Sequence, residues 1–442
     1  MEITEKMLNC FEKSFDRDPK NAVAMNAVTA NGVKKSALNY QAVRDTRHEF
    51  SVFLEQSGVT NQKQSGRCWM FAALNVLRFG VVKKYNLDSF EFSQNYTLFY
   101  DKLEKANYFL ESILNTTEEA TDSRLVVHLI NAVTQDGGQW DMICNIISKY
   151  GVVPKDAMPE TVSSSATQEM DFLLLTKLQE DAMILRRLVR SGEKAETVAE
   201  EKEKMLADIY KILAISLGKP PKTFTFETRD KDKNFIRYEN MTPKRFYEEF
   251  VGVDVRDYVS IINAPTPDKP FYRSFTVKYL GNVKEGRIVR YLNLPSDEMK
   301  ALAIAQLKDG SPVWFGCDVG KEFDRDNGIL DIESYKIDEL FGIRRGMNKG
   351  ERILYGNSLM THAMVFVGVN LDENGKPNRW RVENSWGIER FHDGFMVMSD
   401  RWFDEYNYQI VVHKKYLSEE QLAAYEGTPI ELDPWDPMGS LA

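Results

Sequence analysis

The chain has 442 residues, of which 43% are hydrophobic and 28% are charged. This length exceeds what a single hydrophobic core usually fills, and the composition is typical of a globular protein, which excludes the disordered and fibrous classes. The net charge of −9 disfavours a nucleic-acid partner, because proteins that bind nucleic acids neutralise phosphates with basic residues.

The start of the chain and its cysteines predict the compartment. The first residues are charged, unlike a secretory signal, and no window contains the ~18 consecutive apolar residues of a membrane span. Cys10, Cys68, Cys144 and Cys317 have the spacing of neither a disulfide framework nor a zinc site. We therefore expect a cytoplasmic protein with no membrane partner, no metal site and three unreactive thiols.

The N-terminal part of the chain is predicted to be an arm followed by a helix-rich half. Residues 1–60 form the arm, which is polar apart from one amphipathic stretch. From Ser65 onwards, apolar residues recur at spacings of three and four, which predicts a helix with Cys68 in its first turn and Ser65 as part of its start signal. The helix-rich half covers residues 61–164 and includes a second predicted helix at 141–150.

Residues 165–290 are predicted to be an insertion. It opens with two long amphipathic helices, which are separated at Ser191-Gly192 and end before a Gly-Lys-Pro-Pro run. Short β-rich runs and one helix at 243–250 follow. We expect this second part of the insertion to be connecting material.

Residues 291–427 are predicted to be a sheet-rich half, and residues 428–442 a C-terminal arm. After one helix at 296–307, runs of β-branched and aromatic residues predict strands. The predicted strands are 312–317, 362–369, 380–383, 394–398 and 408–412. The fold class is therefore α+β, with a helix-rich half, a sheet-rich half, a helical insertion and two terminal arms.

Cys68 is the candidate nucleophile. A cysteine at a helix N-terminus has a lowered pKa, because unpaired backbone N–H groups and the helix dipole stabilise the thiolate. Gln62 lies six residues earlier, where its side-chain amide and the Cys68 backbone N–H are placed to donate to an oxyanion. Taken alone, a cysteine beside a tryptophan on a helix is more often a core residue.

His362 is the candidate base, since it is the one histidine of five that starts a continuous apolar strand. Twenty-two residues later, Asn384 ends another predicted strand and is the candidate group that orients the imidazole. Trp386 is predicted to cover this hydrogen bond from water. The predicted triad is therefore Cys68, His362 and Asn384.

Four motifs in this order resemble those of the papain-like cysteine peptidases, most closely the bleomycin hydrolase and aminopeptidase C branch. The motifs are Asn61-Gln62 with Ser65-Gly66-Arg67-Cys68-Trp69, Asp136-Gly137-Gly138-Gln139-Trp140, Thr361-His362-Ala363 and Asn384-Ser385-Trp386-Gly387. The resemblance runs through nearly the whole chain and implies a papain-like fold, with the sheet-rich half resembling an antiparallel β-barrel.

Two departures from the secreted members of this family favour the narrower branch. Ser65 stands where secreted members place a disulfide cysteine, which fits a reducing compartment. His362 lies 294 residues after Cys68, where papain-type enzymes have ~130–150. The predicted insertion accounts for this difference, and the branch is known to carry such a module.

The resemblance also implies activity, assembly and further site residues. It implies an aminopeptidase that needs no cofactor and hydrolyses peptides through a thioester, in a homohexamer with its active sites facing an internal channel. In this branch the C-terminal arm lies in the cleft, which carries over to Ala442, whose carboxylate would meet the α-ammonium group of the substrate. Gly137 and Gly138 match the family's clamp on the substrate backbone.

Other functions fit the sequence less well. An endopeptidase of the same branch is the nearest alternative, and some members of the branch also bind single-stranded nucleic acid, which the net charge disfavours here. The intact Cys68, His362, Asn384 and Gln62 disfavour an inactive scaffold. Glutamine amidotransferases and arylamine acetyltransferases usually orient their histidine with a carboxylate, so Asn384 disfavours both.

Overall fold

The computed structural model of the chain describes residues 1–133 and 135–441. Its N-terminal arm is helical and consists of α1 (Glu5–Asp16), α2 (Pro19–Asn31), α3 (Val33–Ala37) and α4 (Tyr40–Asp45). Thr4 and Asp18 cap the first two helices by accepting hydrogen bonds from backbone N–H groups. None of the residues in α1 or α2 is buried, so the amphipathic stretch predicted in the arm is an exposed face of α1.

The helix-rich half is built around α5 (Cys68–Lys84), which is buried over most of its length. The other helices of this half are α6 (Gln94–Leu114), α7 (Arg124–Asn131) and α8 (Trp140–Tyr150). The predicted helix is confirmed and begins at Cys68, but the Ser65 hydroxyl does not cap it. Arg67 occupies the cap position and makes no side-chain cap bond, so the first N–H groups of α5 remain available.

The two long helices predicted in the insertion are present. The helices of this region are α9 (Val162–Ser165), α10 (Gln168–Arg190), α11 (Ala195–Leu217) and α12 (Pro243–Phe246). α10 and α11 pack on each other and on α6, because their apolar stripes face the helix-rich half. Two antiparallel strands, β2 (Phe224–Arg229) and β3 (Phe235–Met241), form a separate ribbon.

The remaining strands in the described residues form one sheet of twelve. They are β1 (Val52–Phe53), β4 (Tyr258–Ile262), β5 (Arg273–Val277), β6 (Tyr291–Asn293), β7 (Val313–Cys317), β8 (Phe323–Asp324), β9 (Ile329–Leu330), β10 (His362–Leu371), β11 (Pro377–Glu383), β12 (Phe395–Ser399), β13 (Asn407–His413) and β14 (Ile430–Leu432). The order is β14-β5-β6-β4-β13-β7-β10-β11-β12-β9-β8, with β1 beside β10. Most neighbours are antiparallel, while β4 with β6, β5 with β14 and β9 with β12 are parallel.

Part of the predicted connecting material belongs to this sheet. β4 is buried at all five positions and pairs with β13, and β5 lies between β6 and β14. The prediction was wrong here because the partners are far apart in sequence: Ser260 of β4 is paired with Val411 of β13, 151 residues later. Local patterns carry no signal for a pairing over such a separation.

The core lies between α5 and the strands β7 and β10. Trp314 Nε1 donates to the Trp69 carbonyl oxygen at 3.0 Å, and the rings of Phe315 and Phe366 stack at 3.8 Å. Further helices pack around the sheet, namely α13 (Ser296–Lys308), α14 (Ile337–Phe341), α15 (Lys349–Leu354), α16 (Asp400–Tyr406) and α17 (Glu419–Glu426). The predicted α+β class is confirmed. Among the described residues, no helix has the length and apolar character that crossing a membrane requires.

Candidate active site

Cys68 and His362 come together where α5 meets β10. Cys68 is the first residue of α5, and His362 is the first residue of β10. The backbone N–H of Ala363, the residue after His362, donates to Cys68 Sγ at 3.5 Å. Both side chains are buried, with 3% of Cys68 and 5% of His362 exposed. The fold therefore joins the two residues that the sequence separates by the whole insertion.

Asn384 fixes the tautomer of His362. His362 Nε2 lies 2.9 Å from Asn384 Oδ1, and the same oxygen accepts a hydrogen bond from the Ser385 N–H at 2.8 Å. Because this oxygen can only accept, Nε2 carries the proton and Nδ1 has a free lone pair. The Trp386 ring packs against the imidazole that Asn384 holds, with 5.1 Å between the two ring centroids.

Burial sets the charge state of the pair. It raises the pKa of the Cys68 thiol to about 11, although backbone N–H groups at the start of α5 and at Ala363 favour the thiolate. It lowers the pKa of His362 to about 4, and the hydrogen bond to Asn384 opposes this shift. The predicted low thiol pKa is therefore not found. Burial therefore opposes the charged form of each residue taken singly, whereas a thiolate and an imidazolium side by side stabilise each other in a low-dielectric site.

Gln62 is held beside the start of α5 by both ends of its side-chain amide. Its Nε2 donates to the Ser65 carbonyl oxygen at 2.6 Å, and its Oε1 accepts from the Ser385 hydroxyl at 2.7 Å. An amide nitrogen has two N–H bonds, so one is left to point at a reacting carbonyl. Together with the uncapped Cys68 N–H, it forms a pair of donors suited to an oxyanion.

A buried ion pair holds the loop in front of Cys68. Arg67, which is fully buried, donates two hydrogen bonds to Glu160, at 3.0 and 2.8 Å. Its Nε also donates to the Ser65 hydroxyl at 2.9 Å. A bidentate guanidinium–carboxylate pair fixes orientation as well as distance. The Arg67–Glu160 ion pair thus fixes the position of Ser65, where secreted members of the family have a disulfide cysteine.

Asp136 ties four parts of the site together. Its carboxylate accepts from the Gly66 N–H at 2.8 Å and from the Thr167 hydroxyl at 2.5 Å, and it pairs with Lys102 at 2.8 Å. Its carbonyl oxygen accepts from Trp69 Nε1 at 2.7 Å. Burial opposes the charge, but Lys102 and the hydrogen-bond donors outweigh it and hold the pKa of Asp136 well below its usual range.

We expect Asp136→Asn to destabilise the protein by about 3 kcal/mol at neutral pH, because it removes one partner of a buried ion pair. Since the pKa of Asp136 is lower in the folded state, its stabilising effect is complete above the ordinary carboxyl pKa of 3.8 and is lost as the pH falls towards the folded value. Urea unfolding at several pH values measures this difference. The control Asp122→Asn changes an exposed carboxylate and should have almost no effect. Equal losses in both variants would contradict the assignment.

The two glycines after Asp136 have different surroundings. A Cβ at Gly138 would lie 2.6 Å from Trp69 Cε2, so the absent side chain lets the indole pack there. Among the described residues, the N–H and C=O of Gly138 have no hydrogen-bond partner, which leaves them for an extended peptide. The Gly137 carbonyl oxygen instead accepts from Lys105 Nζ at 2.8 Å, and Lys105 pairs with Asp101 at 2.7 Å.

The C-terminal arm contacts residues close to the candidate triad. Gln139 Nε2 donates to the Ser440 carbonyl oxygen at 2.7 Å, and the Ser440 hydroxyl donates to the Met360 carbonyl oxygen at 2.6 Å. Gln139 follows Gly138, and Met360 lies two residues before His362. Ser440 therefore spans the gap between the two halves, next to the candidate triad.

Earlier residues of the arm are anchored in turn. Asp436 pairs at 2.8 Å with the buried Lys269, and the Tyr291 hydroxyl donates to the carbonyl oxygen of the buried Met438 at 3.2 Å. A cavity of about 600 Å³ lies beside the arm, and Leu441 is part of its wall. Ala442, the predicted contact of the substrate ammonium group, lies outside the described residues.

Sequence reasoning missed several residues of this site. Ser385, which supports both Asn384 and Gln62, stands inside a motif and could have been found as the buried polar residue after Asn384. Arg67 and Lys105 gave no such signal, because charged residues on a helix or in a loop usually face solvent. Their roles become visible only when the two halves are assembled.

Comparisons with known proteins agree with this geometry. The model of the Peptidase C1-like family matches residues 2–439. Aminopeptidase C of Listeria innocua is 49% identical, with 100% of this chain and 99% of that protein covered. Aminopeptidase C of Lactococcus lactis subsp. lactis is 47% identical with 100% of both covered, and the bleomycin hydrolase of Mus musculus is 43% identical with 100% and 99% covered.

A solved structure agrees closely as well. The crystal structure of pepw from Lactobacillus rhamnosis HN001 has a TM-score of 0.99 and 49% identity, and the match covers 100% of this chain and 99% of that chain. The family predicted from the four motifs, and the papain-like fold that it implies, are confirmed. The chain belongs to the Peptidase C1-like family of cysteine peptidases.

Proposed function

We propose that this chain is a cysteine aminopeptidase that removes N-terminal residues from peptides through a thioester on Cys68. Relatives named Aminopeptidase C are 47–49% identical over the full chain and support this function. The observation that supports it is the position of Ser440, which bonds to Gln139 and to Met360, two residues before His362.

In the proposed reaction, Cys68 Sγ attacks the scissile carbonyl carbon while its proton moves to His362 Nδ1. The oxyanion accepts hydrogen bonds from the Cys68 N–H and from the free N–H of Gln62. As the C–N bond breaks, the imidazolium gives its proton to the leaving amine, and the acyl group remains on sulfur. A water molecule, deprotonated by Nδ1, then hydrolyses the thioester and restores the thiol.

The arm limits which bond is cleaved. Ser440 contacts Gln139 and Met360, and we infer that the end of the arm lies on the side where substrate residues before the scissile bond bind. We propose that the carboxylate of Ala442 pairs with the substrate's α-ammonium group and that the Gly138 backbone and Trp386 contact the substrate. A charge pair shielded from water fixes the register of the substrate against Cys68.

Comparing a peptide with a free N-terminus and the same peptide with an acetylated N-terminus tests this function. We expect kcat/KM to be roughly 10²-fold lower for the acetylated peptide, since the enzyme carboxylate is then left without its partner. Preferential cleavage of the acetylated peptide would show an endopeptidase instead.

We expect Asn384→Ala to lower kcat about 10²-fold, because the imidazole loses the partner that sets its tautomer and orientation. Activity needs unprotonated His362, so it should be lost as the pH falls through about 4. The Asn384 hydrogen bond raises the pKa of His362, so this acid limb should move to lower pH in the variant. The pH profile of kcat/KM measures both effects. Asn370→Ala, on β10 like His362, is the control, and an unchanged kcat in Asn384→Ala would refute the role.

We also propose that the chain forms a homohexamer in the cytoplasm. The exposed face of α1 supports assembly: Leu8, Phe11 and Phe15 are 55%, 56% and 43% exposed, and such an apolar surface is typical of subunit contacts. Sedimentation analysis of the wild type and of Phe11→Ser tests this proposal. A monomer in both would contradict it.

A further inference from the structure

We propose that Arg325 binds the α-carboxylate of short peptide substrates on the leaving-group side of the scissile bond. The inference rests on the proposed function and deepens it, because it assigns a preference for peptides that end shortly after the cleaved bond.

Arg325 and the candidate base His362 both contact the Trp386 ring. It is exposed, in the short loop between β8 and β9, and its guanidinium carbon is 5.8 Å from the Phe323 ring centre and 5.9 Å from that of Trp386. The Trp386 ring in turn packs on His362. Both distances are at the outer limit of a cation–π contact, so the rings favour the guanidinium near Trp386 while its N–H groups stay free to bind.

Arg325 has no direct partner for its charge within the described part of the chain. It makes no hydrogen bond or ion pair there, although two aspartates flank it in sequence. Asp324 is buried, and its carboxylate accepts hydrogen bonds from the backbone of Asp326 and from Asn327. The positive charge of Arg325 also acts on His362 and lowers the pKa of the imidazole. Its contribution is smaller than those of burial and of the Asn384 hydrogen bond.

Arg325 also lies on the open side of the site. The C-terminal arm contacts Gln139 and Met360, and no hydrogen bond, ion pair or ring contact joins its described residues to Arg325 or Trp386. If the arm occupies the side of the substrate's N-terminus, as proposed above, the departing part of the peptide lies on the side of Trp386. Each extended residue spans about 3.5 Å, so a peptide that ends one or two residues after the scissile bond carries its carboxylate into this region. A guanidinium is suited to a carboxylate because both are planar and bind through two hydrogen bonds.

The test compares a dipeptide or tripeptide as its free acid and as its C-terminal amide. In the wild type, kcat/KM for the acid relative to the amide should fall on adding salt. In Arg325→Gln this ratio should be about two- to fivefold lower, the range of an exposed ion pair, and Arg325→Lys should keep part of it. The matched control is Arg187→Gln, which removes the same charge from an exposed position of α10.

A third substrate is a C-terminal amide with an aspartate residue after the scissile bond. It distinguishes binding of the peptide's α-carboxylate from binding of a side-chain carboxylate. A loss in Arg325→Gln that is confined to this substrate would assign the arginine to acidic side chains and overturn the proposal. An unchanged acid-to-amide ratio, or an equal change in Arg187→Gln, would also overturn it. Failure of the wild type to cleave either form, when it cleaves acetylated peptides, would instead refute the aminopeptidase function.

Discussion

Cys68→Ala should lower kcat about 10⁵-fold or more, because it removes the atom that forms the thioester and leaves only binding and the oxyanion donors. The folded state should be little affected, since the thiol is small and its hydrogen bond from Ala363, at 3.5 Å, is weak. Steady-state turnover of a free-amine dipeptide measures the effect.

The control for this prediction is Cys144→Ala, which removes another buried free thiol outside the site. It should retain activity, and a comparable loss there would contradict the assignment of Cys68. Alkylation with iodoacetamide needs a Cys10→Ser background, because Cys10 is also free and is exposed on α1. In that background, modification of Cys68 and loss of activity should proceed together.

Deleting residues 440–442 should reduce the preference for a free N-terminus about 10²-fold. The deletion removes the carboxylate proposed to pair with the substrate ammonium group, together with the segment that spans Gln139 and Met360. Acetylated and longer peptides should then become substrates. The ratio of kcat/KM for free and acetylated peptides measures the change.

Ser440→Ala is the matched control for the deletion. It loses the hydroxyl bond to Met360 but keeps the backbone carbonyl that Gln139 binds, so its selectivity should stay close to that of the wild type. Alkylation of Cys68 should also be faster after deletion, since the thiol is buried beside the arm. Identical selectivity of the truncated and full-length proteins would show that the arm has no part in choosing the bond.

Much of this fold is predictable from local patterns. The helices α5, α10 and α11 follow from apolar residues at spacings of three and four, and the strand β10 from an uninterrupted apolar run. The strand β4 escaped prediction because its partner lies far along the chain. The position of Ser65 suggested a helix cap, but its hydroxyl bonds to Gln62 and Arg67 instead. The sequence identifies the hydroxyl group but not the partner to which it bonds.

The candidate site, like the fold, was only partly predictable from the sequence. Cys68, His362 and Asn384 were predictable, because each stands in a motif whose local structure the chemistry requires. The charge state of the pair was not, because it depends on how deeply the assembled halves bury the thiol and the imidazole. Lys105 and the role of Asp136, which stands in one of the four motifs, were missed for a related reason: both residues act through contacts between segments, which composition and spacing do not record.

The pair Arg67–Glu160 determines which conditions disturb the nucleophile loop. A disulfide at position 65 would be reduced by thiols, whereas thiols do not break an ion pair. Burial opposes the charge of Glu160, but Arg67 outweighs it and lowers the pKa of this carboxyl, so the pair's stabilising effect disappears as the pH falls below the ordinary carboxyl value of 4.5. The loop before Cys68 is therefore insensitive to reductants and sensitive to acid.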